Sequence, residues 1–321
     1  MSLLKMHSQI FSATLLSALL LSTLDSSAEE PKICVNQYST VTVIDDIVTG
    51  FKQGLERNQI SAKNLVIQNP EGDPATLQIV AQGFVSDECD VIFAITTPGA
   101  QIFRKLTKTI PIIFAGSATP AEGGVVNSMA KPGENITGIA NPAPVEADID
   151  AMISVLPQLK TVGIIYKAGD PAGDYLAKRA LNHMEKRGLT PVIAAIANTG
   201  EAIQAAQSLI GRVDAVLLPG DPATMSAIPG IYKITNEAKI PMFGSLNEAV
   251  SKGAILSGSY DFVQIGNLAA DLVRKVLDGE NPGDIPVIVP DTSGFSINVT
   301  QADRLGLKIP DALLKKATHT Y

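Results

Sequence analysis

The sequence contains no tryptophan, three histidines and two cysteines, and aromatic residues fill 5% of its 321 positions. Each shortage narrows the chemistry. Sugar-binding clefts commonly stack rings on Trp, so sugars are demoted, although Tyr and Phe remain. His7, His183 and His319 stand far apart, and their spacing with the cysteines matches no metal-ligand pattern. So few histidines also weaken general acid–base schemes. No G-x-S-x-G elbow, no G-x-x-x-x-G-K-[ST] loop and no G-x-G-x-x-G after a first strand is found. The expectation is a protein that is not an enzyme and needs no cofactor or metal. A periplasmic hydrolase is the remote alternative, because Asp and Glu are plentiful. Lys and Arg number 25 against 32 Asp and Glu, interspersed, for a net charge of -7. No basic patch advertises nucleic acid.

One apolar run stands near the start. Lys5 precedes "IFSATLLSALLLSTL" (10–24), and Ser26-Ser27-Ala28 follows. A positive start, a short apolar core and small residues are the anatomy of a secretory signal peptide cleaved after Ala28. The run is short for a membrane span, which needs about 20 residues. No Cys stands just after it, so no lipid anchor is expected. The mature chain is expected to be exported to the periplasm and monomeric. In that setting a disulfide persists. Cys34 begins one expected strand and Cys89 just precedes another, so a bridge and two buried thiols both fit.

Apolar runs then alternate with helical spacing. Strands are expected at 32–38, 64–69, 90–96 and 110–116, with helices at 45–58, 73–87 and 98–107. The rhythm restarts with a helix at 146–159. Strands follow at 160–167, 190–197, 214–220 and 240–245, and helices at 173–188, 201–211 and 222–238, the last interrupted by Pro229. A short strand at 254–256, a helix at 262–277 and an extended stretch at 285–297 come last, and His319 lies in a polar tail. Parallel neighbours need crossover helices, so this alternation implies parallel sheets. The halves repeat one another. "DVIFAITTP" (90–98) matches "DAVLLPGDP" (214–222), and "IPIIFAGSATP" (110–120) matches "IPMFGSLNEA" (240–249). The expected fold is α/β, with two doubly wound parallel-sheet lobes.

Open parallel sheets bind ligands at the carboxyl ends of their strands, beside helix N-termini that favour anions. The residues there are Gln37, Tyr38, Ser39, Thr96, Thr97, Ser117, Ala118 and Thr119 in the first lobe. In the second they are Tyr166, Asp221, Ser245 and Asn247, with Tyr260 and Asp261 at a later crossing between lobes. Thr96, Thr97 and Ser117 suit a carboxylate, Asp221 or Asp261 an ammonium, and Tyr38, Tyr166 or Tyr260 an apolar or aromatic side chain. Helix capping is the competing role for the hydroxyls and for Asp221. Packing at the hinge competes for the tyrosines.

The phrases "QYSTVTVIDDIVTGFKQGL", "TTPGAQ", "IPIIFAGSATPAEGGVVNSMAKPGENITGIA", "IPMFGSLNEAVSKGAILS" and "INVTQADRLGLKIPDALL" resemble the ABC transporter substrate-binding protein family that includes tryptophan- and tyrosine-binding proteins. The resemblance covers nearly the whole mature chain. It implies a type I periplasmic binding protein fold whose two lobes are joined by a three-crossover hinge. It also implies capture of a small solute, here most simply an amino acid, for an inner-membrane ABC permease with its ATPase. A sensory binding protein that presents ligand to a membrane receptor is the alternative. The N-terminal lobe is expected at 29–140 plus about 262–288, and the C-terminal lobe at 141–261 plus about 289–321. Members often carry His-Pro-Ala where this chain has Val41-Thr42-Val43, and Asp-Pro where Thr119 precedes Pro120. Both departures fall on the expected rim.

Overall fold

A computed structural model describes residues 30–321, so the expected signal peptide lies outside the described residues. In chain order the first elements are β1 (Ile33–Asn36), α1 (Thr42–Arg57), β2 (Leu65–Gln68), α2 (Pro74–Ser86), β3 (Val91–Ile95), α3 (Thr97–Leu106), β4 (Ile112–Ser117) and β5 (Ile136–Ala140). The strands form one parallel sheet in the order β2-β1-β3-β4-β5. All five residues of β3 are buried because apolar layers cover both faces of the sheet. On one face Val35, Phe93 and Ile113 meet Ile47 and Phe51 of α1. On the other Cys34, Ile92, Ile112 and Phe114 meet Phe84 and Phe103 of α2 and α3. Strand residues alternate between the two layers with period two.

The second run comprises α4 (Val145–Val155), β6 (Thr161–Lys167), α5 (Pro171–Lys186), β7 (Thr190–Ile196), α6 (Ala202–Ser208), β8 (Ala215–Leu218), α7 (Pro222–Glu237) and β9 (Met242–Gly244). Its sheet is again parallel, in the order β7-β6-β8-β9. There follow α8 (Asn247–Ser251), β10 (Leu256–Ser259), α9 (Phe262–Leu277), β11 (Gly294–Ile297), α10 (Val299–Arg304), α11 (Asp311–Leu314) and β12 (Ala317–Thr320). β10, β11 and β12 make a small sheet, antiparallel then parallel.

The matching phrases of the two halves do matching work. Asp90 accepts from the Lys32 amide at 2.7 Å, and Asp214 from the Lys160 and Thr161 amides at 2.9 and 2.8 Å. Each aspartate fastens the third strand of its lobe to the start of the first. Pro111 and Pro241 open the fourth strands, where no ladder N–H is needed. Their carbonyls accept from Ile92 and Val216 at 2.9 and 3.0 Å.

The chain passes between lobes three times. The first passage runs through residues 141–144, between β5 and α4, and the second through 260–261, between β10 and α9. The third leaves Ile288, bridged to Ile139, and ends at β11, where the Ser293 amide donates to the Ser259 carbonyl at 2.9 Å. The Tyr260 hydroxyl donates to the Pro142 carbonyl at 2.8 Å, tying the second passage to the first. This is the two-lobed, three-crossover arrangement that the family resemblance implies. α9 returns to the first lobe, where Ile265, Ala269, Leu272 and Val273 join the layer under α1. Two glycines make the contact close. A Cβ on Gly50 would fall on the Val263 carbonyl, and one on Gly266 on the Ile47 carbonyl.

Several boundaries differ from expectation. α7 runs on through Pro229, because Met225, Ile228 and Ile231 keep one buried face across it. β5 is an additional strand. Gly138 permits it, since a Cβ there would overlap the Phe114 carbonyl. The short strand lies at 256–259 rather than 254–256, and the tail around His319 is β12, held by β11. Cys34 and Cys89, 55 positions apart in sequence, are joined by a disulfide with Cα atoms 6.0 Å apart.

Gly266→Ala is expected to lose about 1–3 kcal/mol or more in urea unfolding, because backbone blocks the new methyl. Gly83→Ala is the control. Gly83 lies within α2 with open space around its Cβ position, and a gain of about 0.5–1 kcal/mol is expected. Replacing both cysteines by Ala is expected to lower stability by about 2–5 kcal/mol, since the loop it opens is long. Equal melts for the double variant and the parent would refute the bridge's contribution.

Candidate functional site

The carboxyl ends of β1, β3 and β4 carry two strained turns and a bulge. Tyr38 follows β1 with φ +71°, and its carbonyl accepts from Gly72 at 2.7 Å. Thr96 follows β3 with φ +81°, which a β-branched residue adopts only when its surroundings hold it there. Its amide is held by the Ala115 carbonyl at 2.8 Å, and its side chain caps α3 through Gly99 at 3.4 Å. In β4 the register shifts between Phe114 and Ser117, with Gly116 at φ +69°. A bulge of this kind re-aims the next side chain. Ser117 is fully buried, and its hydroxyl meets that of Thr97 at 2.8 Å. The pair stands at the first turn of α3, where Pro98 offers no N–H.

The other first-lobe residues are more committed. Gln37 donates to Asp45 at 2.7 Å. Ser39 is half-buried, Ala118 exposed, and the Thr119 carbonyl accepts from Gly123 at 2.8 Å. Val41, just before α1, and Val43, in its first turn, are 47% and 43% exposed.

In the second lobe the ends of β6, β8 and β9 are equivalent. Asp221 is fully buried and saturated. It accepts from the amides of Ala223, Thr224 and Lys167 at 3.1, 3.0 and 3.3 Å and from the Thr224 hydroxyl at 2.7 Å. A carboxylate used in this way caps α7. Asp261 also caps a helix, accepting from Gln264 at 3.0 Å, but stays exposed. Asn247 accepts from Ser296 at 2.7 Å, and Ser245 is fully buried. Leu246, between them, is 38% exposed. Tyr166 packs on the second-lobe core and Tyr260 on the first. Burial pushes the Tyr260 phenol up to about 12.

Five residues at these strand ends and beside the crossovers escape sequence reasoning. Asn36 ends β1 fully buried, with neither amide atom bonded to protein, and its nitrogen lies under Gly99 of α3. Its one signal is a polar residue closing an apolar strand. Arg179 on α5 grips both oxygens of Glu146, donates to the Ala143 carbonyl at 3.3 Å, and sits 5.5 Å over the Tyr175 ring. Burial raises the Tyr175 phenol, and Glu122 of the first lobe adds to that rise. Glu122 precedes Gly123, which lies against the Thr97 methyl. Among the described residues no cluster of three or more His, Cys, Asp or Glu is placed to hold a metal, and no helix is long and apolar enough to cross a membrane.

A concavity of about 700 Å³ lies elsewhere, lined by Val155, Leu156, Leu159, Leu307 and Pro310 near the start of β6. It is remote from the strand ends where helix N-termini converge.

A tyrosine-binding protein of Clostridioides difficile is 32% identical over 275 residues, covering 85% of this chain and 80% of that one. The ligand-free, open structure of a substrate-binding protein with adhesive properties from Clostridium difficile superposes with a TM-score of 0.80 at 29% identity, covering 91% of this chain and 99% of that one. A Streptococcus pneumonia ABC domain in complex with L-Trp gives 0.66 at 28% identity, covering 91% and 100%. The family model for ABC transporter substrate binding protein matches residues 32–321, and the chain belongs to that family.

Proposed function

We propose that this substrate-binding protein is exported and captures an amino acid with an apolar or aromatic side chain between its lobes for import by an ABC permease. The observation that carries the reading is the Thr97–Ser117 hydroxyl pair at the first turn of α3, held between a strained residue and a bulge. A helix N-terminus with two hydroxyls suits a carboxylate. Asp261, exposed at the second crossover, is the carboxylate left to meet an ammonium. Val41, Val43 and Leu246 offer apolar surface at the rims. The tyrosine-binding and L-Trp-bound relatives support the ligand class. Two relatives of nearly equal identity superpose unequally, better on the open structure than on the L-Trp complex, which supports an open arrangement here. The lobes are taken as 29–140 with about 262–288, and 141–261 with about 289–321.

Thermal shift with L-tyrosine and L-tryptophan tests the ligand class. At a hundredfold excess over Kd, binding stabilises by about 2.7 kcal/mol. No shift with any amino acid would sink the reading. Thr97→Val is expected to weaken binding about tenfold or more, the cost of a charge-assisted hydrogen bond. Unchanged affinity would remove Thr97 from the site. Asp221→Ala is expected to lose about 1–3 kcal/mol of stability, because its four donors lose their acceptor. A variant as stable as the parent but unable to bind would restore Asp221 to ligand contact.

A further inference from the structure

Asp148 is a carboxyl group sealed from water. It lies in the first turn of α4, just past the first crossover, and none of its surface is exposed. One oxygen accepts from the Gly258 amide at 2.6 Å. Gly258 belongs to β10, immediately before the second crossover, and the Pro144 ring packs against it. The other oxygen completes no hydrogen bond, and neither does the hydroxyl of Ser245 beside it. Asp148 thus joins the start of α4, the end of β10 and the residue after β9.

The surrounding charges do not favour an anion. Arg179 on α5 is attractive, but its guanidinium is committed to Glu146 and the Ala143 carbonyl. Glu146, on the same helix turn, repels. The Tyr260 hydroxyl is already given to Pro142. The Gly258 amide and the Ser245 hydroxyl favour the anion, but complete burial away from water opposes it more strongly. Burial, the largest influence, pushes the carboxyl up to about 7.

We propose that Asp148 is a proton-binding site built into the hinge, fastening the second crossover against the first when neutral and loosening it when ionised. The inference does not depend on which solute the protein captures. Its sign follows from linkage. Hydrated in an opened or unfolded chain, the carboxyl ionises near its ordinary 3.8. Between that value and about 7 the folded state holds a proton that the open state releases. Stability therefore falls as pH rises through this window and levels off above it.

Carbon-13 NMR of aspartate-labelled protein tests the site directly. One carboxyl resonance is expected to titrate near neutrality in the parent and to be missing in Asp148→Asn. All aspartates titrating below about pH 5 would overturn the proposal. Amide exchange over residues 256–260, corrected for its intrinsic pH dependence, reads the hinge. Local opening is expected to rise about tenfold from about pH 6 to about pH 8 in the parent and to stay level in Asp148→Asn. The Asn variant, a mimic of the neutral acid, is expected to melt near the parent at about pH 4 and above it at about pH 8. Parallel pH profiles for the two proteins would also overturn it. The NMR titration needs only the parent, so poor folding of the variant leaves the test intact.

Discussion

The close crossing of α1 and α9 is the constraint on which the rest depends. α9 is reached only after the chain has built the second sheet, yet its residues complete the apolar layer under the first. Gly50 and Gly266 let the two backbones approach until no Cβ fits between them. Burial on that layer, at roughly 25 cal/mol per Å² of apolar surface, outweighs what two helical glycines cost. Because α9 must return, the chain must pass between lobes again, and then a third time to finish the small sheet with β11 and β12. The hinge is thus a consequence of where α9 finds its apolar partner.

Within each lobe, one scheme fixes the strands at both ends. Asp90 and Asp214 hold the starts, and Pro111 and Pro241 open the fourth strands without wasting a donor. At the other ends the Thr96 amide meets the Ala115 carbonyl, and the Ser245 amide meets the Leu218 carbonyl. Here the lobes diverge. The first spends its hydroxyls on each other at the mouth of α3, and the second buries Ser245 beside Asp148. The repeated phrase is therefore a structural frame, and the side chains after each frame do different work.

The parallel lobes, the strand-end rims and the repeated frame were legible because they rest on local periodicity and on residue types that dictate backbone. Asp73 and Pro74 opening α2 are such a case. The fate of individual polar groups was not. Asp221 reads equally as cap or ligand partner until its four donors are seen. Pro229 reads as a break until the buried face on either side is seen to continue. β5 is silent in the sequence because its need for Gly138 arises from Phe114, more than twenty positions away.

The sequence by itself determined the α/β class, the two-lobed repeat and the placing of Thr97, Ser117 and Ser245 at strand ends. Periodicity and turn chemistry act over a few residues and are written in order along the chain. Tertiary structure alone decided that Cys34 and Cys89 are bridged, that Arg179 closes on Glu146, and that Asp148 is sealed between two crossovers. Those outcomes depend on which distant groups arrive together and on how much water they exclude. Burial, the quantity that sets a carboxyl's charge, exists only once the chain has folded.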